Sequence, residues 1–500
     1  MTVGALIQLE YGNIERMAFL TLNPQITHFK SVYKKYTNFA TQFITNQPIA
    51  ANSTSLSFDT ETKITFQLPR DGDAIRDMYL TLELPDIYSD SNYQFQWIKR
   101  IGEYVVKSVS LQIDTNQNVD KHYAEWFHAY SELNYNEGKK KGYYEMIGNV
   151  PEMYDPSNAP GNNGQYPHTS YAPSIINRKI YLPLIFWFNK FASMSFPLVS
   201  IQKTIIYLNF TFRRLKDLYT VIDYSGVSGG TGYRVQPSKT NHYIGNFLLP
   251  KTSQSDLNIN PRLEINNIFL DNEERKRFAL ASHEYLITQL QAIDKIYDGV
   301  SIDLKNINKP VTELVFMIRR TDMEDVNEWS NYTNWNITDI PPYSNGYSNP
   351  YGSPLTINTG NIQYYKTKNL LKSAVLRLLA QEITSGDVVN NDTPLIGKIN
   401  GKDSVFYNKM QNFNANQNMP SEGIYTYSFS LDNSSLQPIG AVNMSSISNK
   451  DILLNLTNIN PSGGYNYPSG IKYDYRIYVF AVNYEILKIM GGMVGTMTAN

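Results

Sequence analysis

Segments of the first half of this 500-residue chain reappear in the second half, in the same order and at a nearly constant spacing, and a repeat of that kind decides the architecture before any local feature does. An amphipathic stretch opening at Asn23 and Pro24, with Ile26, Phe29, Val32, Tyr33 and Tyr36 near helical spacing, precedes the strand-like FATQFITNQPI around Phe43. A second helix signal near Asp271, with Glu273 and Glu274 in its first turn and Arg275, Lys276 and Arg277 behind them, precedes HEYLITQLQAI around Leu286. Phe43 to Leu286, Ser57 to Ser301, Ile75 to Val311 and Pro197 to Pro438 give offsets of 243, 244, 236 and 241 residues. Four ordered matches at half the chain length argue for two copies of one domain.

The repeated unit reads as β-structure. TKITFQL from Thr62, MYLTLEL from Met78, TIIYLNFTF from Thr204 and YRIYVFAV from Tyr475 are β-branched and aromatic runs with period two. About 240 residues per copy suit an eight-stranded jelly roll with long loops, a design that forms two packed sheets. The fold class expected is therefore all-β: two tandem eight-stranded jelly-roll β-sandwiches with long loops and a few short helices. The Gly/Ser-rich YSGVSGGTGY from Tyr224 marks a linker. The division expected is an N-terminal arm over 1–25, a first roll over 26–216, a linker over 217–240 and a second roll over 241–500. Stretches rich in Asn, Gly, Pro and Tyr at 116–172, 321–366 and 382–422 read as elaborated surface loops.

Charge and cysteine content exclude several classes of function. With 44 Lys plus Arg against 45 Asp plus Glu, the net charge of −1 lacks the basic excess of a nucleic-acid binder, so no direct nucleic-acid partner is expected. No cysteine is present, which removes disulfides, thiolate metal sites and cysteine nucleophiles together. The 38 Tyr, 22 Phe and 5 Trp favour strands and packed contact surfaces. Residues 1–13 carry Glu10 and no basic start, unlike a secretory signal, and no run approaches the ~18 apolar residues of a membrane span.

Motifs that carry chemistry are weak here. Gly226-Val227-Ser228-Gly229-Gly230 matches G-x-S-x-G, but more glycine and a turn follow where a nucleophile elbow needs a helix. His122, Glu125 and His128 have a spacing that suits zinc, yet Tyr123, Trp126, Phe127 and Tyr130 around them suggest a packed aromatic segment. His283-Glu284 lacks the second histidine of H-E-x-x-H, since position 287 is Ile. Gly397-Lys398 and Gly401-Lys402 lack the phosphate-loop pattern, and Lys139 to Lys141 read as a solvated loop. Asp71/Asp73 and Glu273/Glu274 are explained by a turn and a helix start. No enzyme activity, cofactor or metal is expected. Among eight sequons, Asn331, Asn336 and Asn391 are carried as candidate glycosylation positions.

Five blocks along the chain resemble the double jelly-roll major capsid proteins of nucleocytoplasmic large DNA viruses. They are GALIQLEYGNIERMAFLTLNPQITHFKSVYKKYTNFA (4–40), YLPLIFWFNKFASMSFPLVSIQ from Tyr181, FLDNEERKRFALASHEYLITQ from Phe269, YSFSLDNSSLQPIGAVNMSSI from Tyr427 and YVFAVNYEILKIMGGMVG from Tyr478. The resemblance implies a homotrimer whose six rolls form a pseudo-hexagonal capsomer tiling an icosahedral shell. It further implies neighbouring capsomers, minor capsid and penton proteins as partners, an internal membrane close to the arm, and assembly in the host cytoplasm. Leu6, Ile7, Leu9, Tyr11, Met17, Phe19 and Leu20, with Asn23 and Pro24 behind them, make the arm too apolar to lie free in water, and these are the expected assembly residues. The long aromatic-rich loops and the flanks of the β-domains are expected to carry the trimer contacts. The alternatives are a minor capsid or penton jelly-roll protein of the same virus class, present in few copies, and a jelly-roll carbohydrate-binding protein.

Overall fold

The computed structural model describes residues 2–11, 18–49, 54–114, 117–168, 171–225, 233–299, 301–333, 370–379, 381–382, 410–456 and 474–497. The strands of the first roll are β1 (Phe39–Asn46), β2 (Thr62–Gln67), β3 (Ala74–Leu84), β4 (Val106–Ile113), β5 (Gln117–Tyr123), β6 (Arg178–Pro183), β7 (Ile206–Phe212) and β8 (Arg262–Leu270). The second roll has β9 (His283–Ile296), β10 (Ser301–Asp303), β11 (Pro310–Arg320), β12 (Leu371–Leu378), β13 (Gln381–Glu382), β14 (Ile424–Ser428), β15 (Lys450–Leu456) and β16 (Tyr475–Met490). The sheets of the first roll run β1-β8-β3-β6 and β2-β7-β4-β5, and those of the second run β9-β16-β11-β14 and β10-β15-β12-β13. Adding eight to each label of the first roll gives the second, so the chain is a duplicated jelly roll.

The duplication extends to an irregularity. The β3–β8 ladder slips beside Asn267, which lies opposite Ile75, and the β11–β16 ladder slips beside Asn483, which lies opposite Val311. Both asparagines are fully buried. A bulge at one place in both copies fixes their alignment better than sequence does. It confirms the offset of 236 from Ile75 to Val311, but register sets Phe43 against Leu290, four residues beyond the expected Leu286. Ser57 lies outside β2 whereas Ser301 opens β10, so that pair is not a structural match. Phe196 bridges Ile75 and Val442 pairs with Val311, so the segments around Pro197 and Pro438 do correspond, at a spacing nearer 246.

Two expectations about boundaries change. The presumed linker over 217–240 contains strands Tyr219–Asp223 and Tyr233–Val235, which form a small sheet with Tyr93–Trp97; its Gly-rich centre, 226–232, lies outside the described residues. The first roll closes only with β8, placed between β1 and β3, so strand pairing puts the division at about residue 271. The helix expected after Pro24 is also absent. Asn23 takes a left-handed φ of 54°, and a Thr27–Lys30 bridge makes a turn where the helix would run. Its β-branched and aromatic residues favour helix weakly, and about a dozen residues with no surface to pack on are marginal in water.

Residues 116–172 are not a loop. They include α2 (Ala124–Asn134) and α3 (Glu137–Met146), downstream of α1 (Val3–Tyr11) in the arm. Nine of the eleven residues of α2 are buried, Trp126, Phe127, Ala129 and Leu133 among them, so α2 is a core helix. Asn136 caps α3 by accepting from the Lys139 backbone N–H at 3.0 Å. Lys140, expected in solvent, is instead buried against Glu132 at 3.0 Å. The helix signal at Asp271 holds, as α4 (Asn272–Leu280).

Strands β11 and β16 lie in the middle of the molecule and are buried on both faces. Leu314, Phe316, Ile318, Ile477, Val479 and Ala481 point into the second roll's own core. The alternating set, Val315, Met317, Tyr478, Phe480 and Val482, joins the core of the first roll. This explains the nearly continuous apolar run in VTELVFMIRR, and it corrects the alternation expected of YRIYVFAV, where Ile477 to Val482 are buried without a break.

Candidate assembly surfaces

A chain that builds a shell needs a rigid body and surfaces left open for other copies. Rigidity comes from the seam between the rolls. Arg319 at the end of β11 is 1% exposed and reaches Glu125 of α2 at 3.4 Å, while Arg213, just beyond β7, reaches the same carboxylate at 2.9 Å. Burial pushes the Glu125 carboxyl up, but the two guanidinium groups outweigh it and hold the pKa below the usual carboxylate range. Both arginines lie over the Trp329 ring, at 4.3 and 5.1 Å, and Trp329 Nε1 donates to Asp217 O at 2.7 Å. Each roll thus supplies half of one buried ion cluster. Removing one partner from such a cluster strands a charge.

Backbone edges are tied across the seam as well. Leu290 N on β9 donates to Asp120 Oδ1 at 3.0 Å, and Gln289 Nε2 donates to Val119 O at 2.6 Å. The first contact caps the free edge of β9, otherwise open to strand addition, with a side chain of β5, and the second satisfies a carbonyl of β5 with a side chain of β9. Asn327 Nδ2 donates to Lys216 O and Tyr219 O at 2.7 and 2.8 Å.

The side chains weighed as a zinc triad go three separate ways. His122 Nε2 pairs with Asp120 at 3.1 Å and its ring stacks on Phe186; Glu125 serves the arginines; His128 Nδ1 meets Tyr104 Oη at 3.0 Å. Burial, with Arg100 adding to it, holds the His128 pKa well below the ordinary value, so the ring is neutral. His283 Nε2 donates to Phe278 O at 2.8 Å, and Asp73 binds Arg275 at 2.8 Å. Gly397 to Lys402 lie outside the described residues.

The arm carries a long run of exposed apolar side chains. No residue of α1 is buried, and Leu6, Ile7, Leu9, Tyr11 and Leu20 are exposed. Asn23 and Pro24 are exposed too, in the turn that replaces the expected helix; Met17 and the side chain of Phe19 lie outside the described residues. The exposure continues past the expected limit of residue 25 through Ile26, Val32, Tyr33 and Tyr36, with Phe29 at 98%. Of the sequon positions, Asn331 is fully buried and its Oδ1 accepts from Thr333 N at 3.0 Å and Thr333 Oγ1 at 2.8 Å, so it is no glycan acceptor in the folded chain. Asn336 and Asn391 lie outside the described residues.

Comparison with known proteins agrees with this reading. Residues 27–248 match the family described as the major capsid protein N-terminus, and residues 274–495 match the large eukaryotic DNA virus major capsid protein. The junction between the two matches falls where strand pairing divides the rolls. The major capsid protein of Phaeocystis pouchetii virus is 26% identical, and that of Paramecium bursaria Chlorella virus 1 is 28% identical, each over 99% of this chain and 100% of the relative. A chain of the PBCV-1 virus capsid aligns with a TM-score of 0.64 at 22% identity, covering 95% of this chain and 100% of that one. The Faustovirus major capsid protein aligns at 0.61 and 14% identity, over 97% and 96% of the two chains. With both rolls matched, in order and along nearly their whole length, the chain belongs to the double jelly-roll major capsid proteins of the large eukaryotic DNA viruses.

Proposed function

We propose that this chain forms homotrimers, that each trimer is a pseudo-hexagonal capsomer of an icosahedral shell, and that the N-terminal arm ties the trimer to its surroundings. The observation carrying this reading is the pairing of a rigid two-roll body with an arm whose large apolar residues, among those the structure describes, are exposed. Three copies of a two-roll body supply six similar corners for a hexagonal tile. Leu6, Ile7, Leu9, Tyr11 and Leu20 bury in the assembled state, against neighbouring capsomers or against minor capsid and penton proteins on the inner side, close to an internal membrane. A shell built in the host cytoplasm accords with a chain that has no cysteine to oxidise.

Light scattering of the purified chain tests the first step. A trimer at micromolar concentration is expected, and a stable monomer would sink the reading. Electron cryomicroscopy of purified particles tests the second, with density for residues 3–36 expected against another polypeptide. In the same particles this chain is expected to be the most abundant band, which a minor capsid or penton protein would not be.

A further inference from the structure

Lys309 is the residue immediately before β11. Its backbone is strained: φ is 69°, a left-handed value that residues other than glycine rarely adopt, and the Pro310 that follows restricts it further. The conformation is held from both sides of the residue, since Lys309 N donates to Ser445 Oγ at 2.8 Å and Lys309 O accepts from Met444 N at 3.0 Å. Surroundings that over-determine a strained residue in this way also fix where its side chain goes. Lys309 Nζ lies 3.0 Å from Gln289 Oε1 on β9 and 2.9 Å from Glu485 Oε2 on β16, and the lysine side chain is only 15% exposed. Gln289 and Glu485 are buried. The second polar atom of each partner is fixed as well: Gln289 Nε2 donates to Val119 O of the first roll at 2.6 Å, and Glu485 Oε1 accepts from Ile486 N at 2.9 Å. A primary amine, a carboxamide and a carboxylate therefore meet at one largely buried point.

We propose that Lys309 and Gln289 join in an isopeptide bond, with Glu485 carrying the proton, so that the start of β11 is tied covalently to β9 across β16. Glu485 Oε2 takes a proton from the Lys309 ammonium, and the lone pair this frees on Nζ attacks Gln289 Cδ while the carbonyl electron pair moves onto Oε1. A second proton passes from Nζ to Nε2, the Cδ–Nε2 bond breaks with its electrons going to nitrogen, and the carbonyl re-forms. Ammonia leaves, and Glu485 gives it the stored proton. One Nζ–Cδ bond is made and one Cδ–Nε2 bond is broken, so no oxidant, reductant or other reactant is needed. The reach is short. A carbonyl is about 1.2 Å long, which puts Nζ within about 4.2 Å of Cδ, and a turn of the amide closes this to the roughly 3–3.5 Å from which attack occurs. Val119 O already holds the nitrogen that departs. The three strands concerned adjoin in the order β9-β16-β11, and β9 and β11 share no hydrogen bonds of their own, so the link spans two strands that only β16 connects. For a chain without cysteine, amide chemistry is a route to such a staple.

Mass spectrometry of the purified full chain tests it, whatever the oligomeric state. The denatured chain is expected to be lighter than its sequence requires by one ammonia. Trypsin should release residues 278–295, which contain Gln289, joined to residues 306–319, which contain Lys309 and stay whole there because proline follows. Glu485→Gln, which lacks the proton carrier, and Lys309→Arg, which keeps the positive charge without the amine, should each give the full sequence mass and two separate peptides. A folded unmodified chain with its full mass and the two peptides apart would overturn the proposal. So would a loss of ammonia with the peptides apart, since that loss would then come from a succinimide elsewhere. Joined peptides in Glu485→Gln would overturn the role of the carboxylate and leave the bond standing. Should either variant fail to fold, the peptide map of the unmodified chain still decides whether the bond exists.

Discussion

At the scale of the residue, the seam holds charges that are costly to disturb. Trp329 is expected to be a sensitive position, since Trp329→Ala removes the surface beneath Arg213 and Arg319 and the bond to Asp217 O together. A loss of about 3–5 kcal/mol in chemical unfolding is expected. Glu313 presents a different case. It is buried beside the seam with Asn433 Nδ2 donating to it at 2.9 Å, and burial pushes its pKa up to about 7 although Lys190 opposes the shift. A folded-state value above the ordinary 4.5 means that its contribution is fully present below about pH 4.5 and is lost as the pH rises through 7. The thermal midpoint of the unmodified chain should therefore fall across that window relative to Glu313→Gln, by the equivalent of on the order of 2–3 kcal/mol. Equal pH profiles for the two proteins would show that Glu313 is already ionised throughout.

At the scale of the element, β11 and the arm make opposite predictions. Phe316→Ala empties part of the second roll's core and Phe480→Ala empties part of the seam, so both should cost about 3–5 kcal/mol although they point to opposite sides of one sheet. Deleting residues 2–38 removes α1 and, among the described residues, no buried side chain, so the thermal midpoint should move by no more than about 2 °C, while particle formation fails. Elements also show what was legible beforehand. Period-two runs such as β2 and β7 and the charged start of α4 were readable because alternation and dipole order are local properties. The helix after Pro24 was misread because a spacing that suits one is not enough when the face has nothing to cover. Helices α2 and α3 were lost among tyrosines and asparagines because their packing partners, Phe480 for Trp126 and Arg100 for Tyr144, lie far away in sequence. The cluster of Glu125, Arg213 and Arg319 draws on three distant segments, and none of them carries a motif.

At the scale of the whole molecule, the shared core makes two rolls into one cooperative body. Calorimetry of the full chain is expected to show a single transition, because Val315, Phe480 and Val482 belong to the first roll's core as much as to the second sheet. Two separated transitions would show that the rolls unfold independently. The order of strands has a consequence for synthesis. In each roll the eighth strand, β8 or β16, is inserted between strands made earlier, so neither of these sheets can close until that strand leaves the ribosome. A chain interrupted before residue 475 leaves β9 and β11 without their common neighbour and Leu314, Phe316 and Ile318 uncovered. Ribosome-bound chains halted there should be cut by protease within the second roll, so that only finished polypeptides are admitted to the shell.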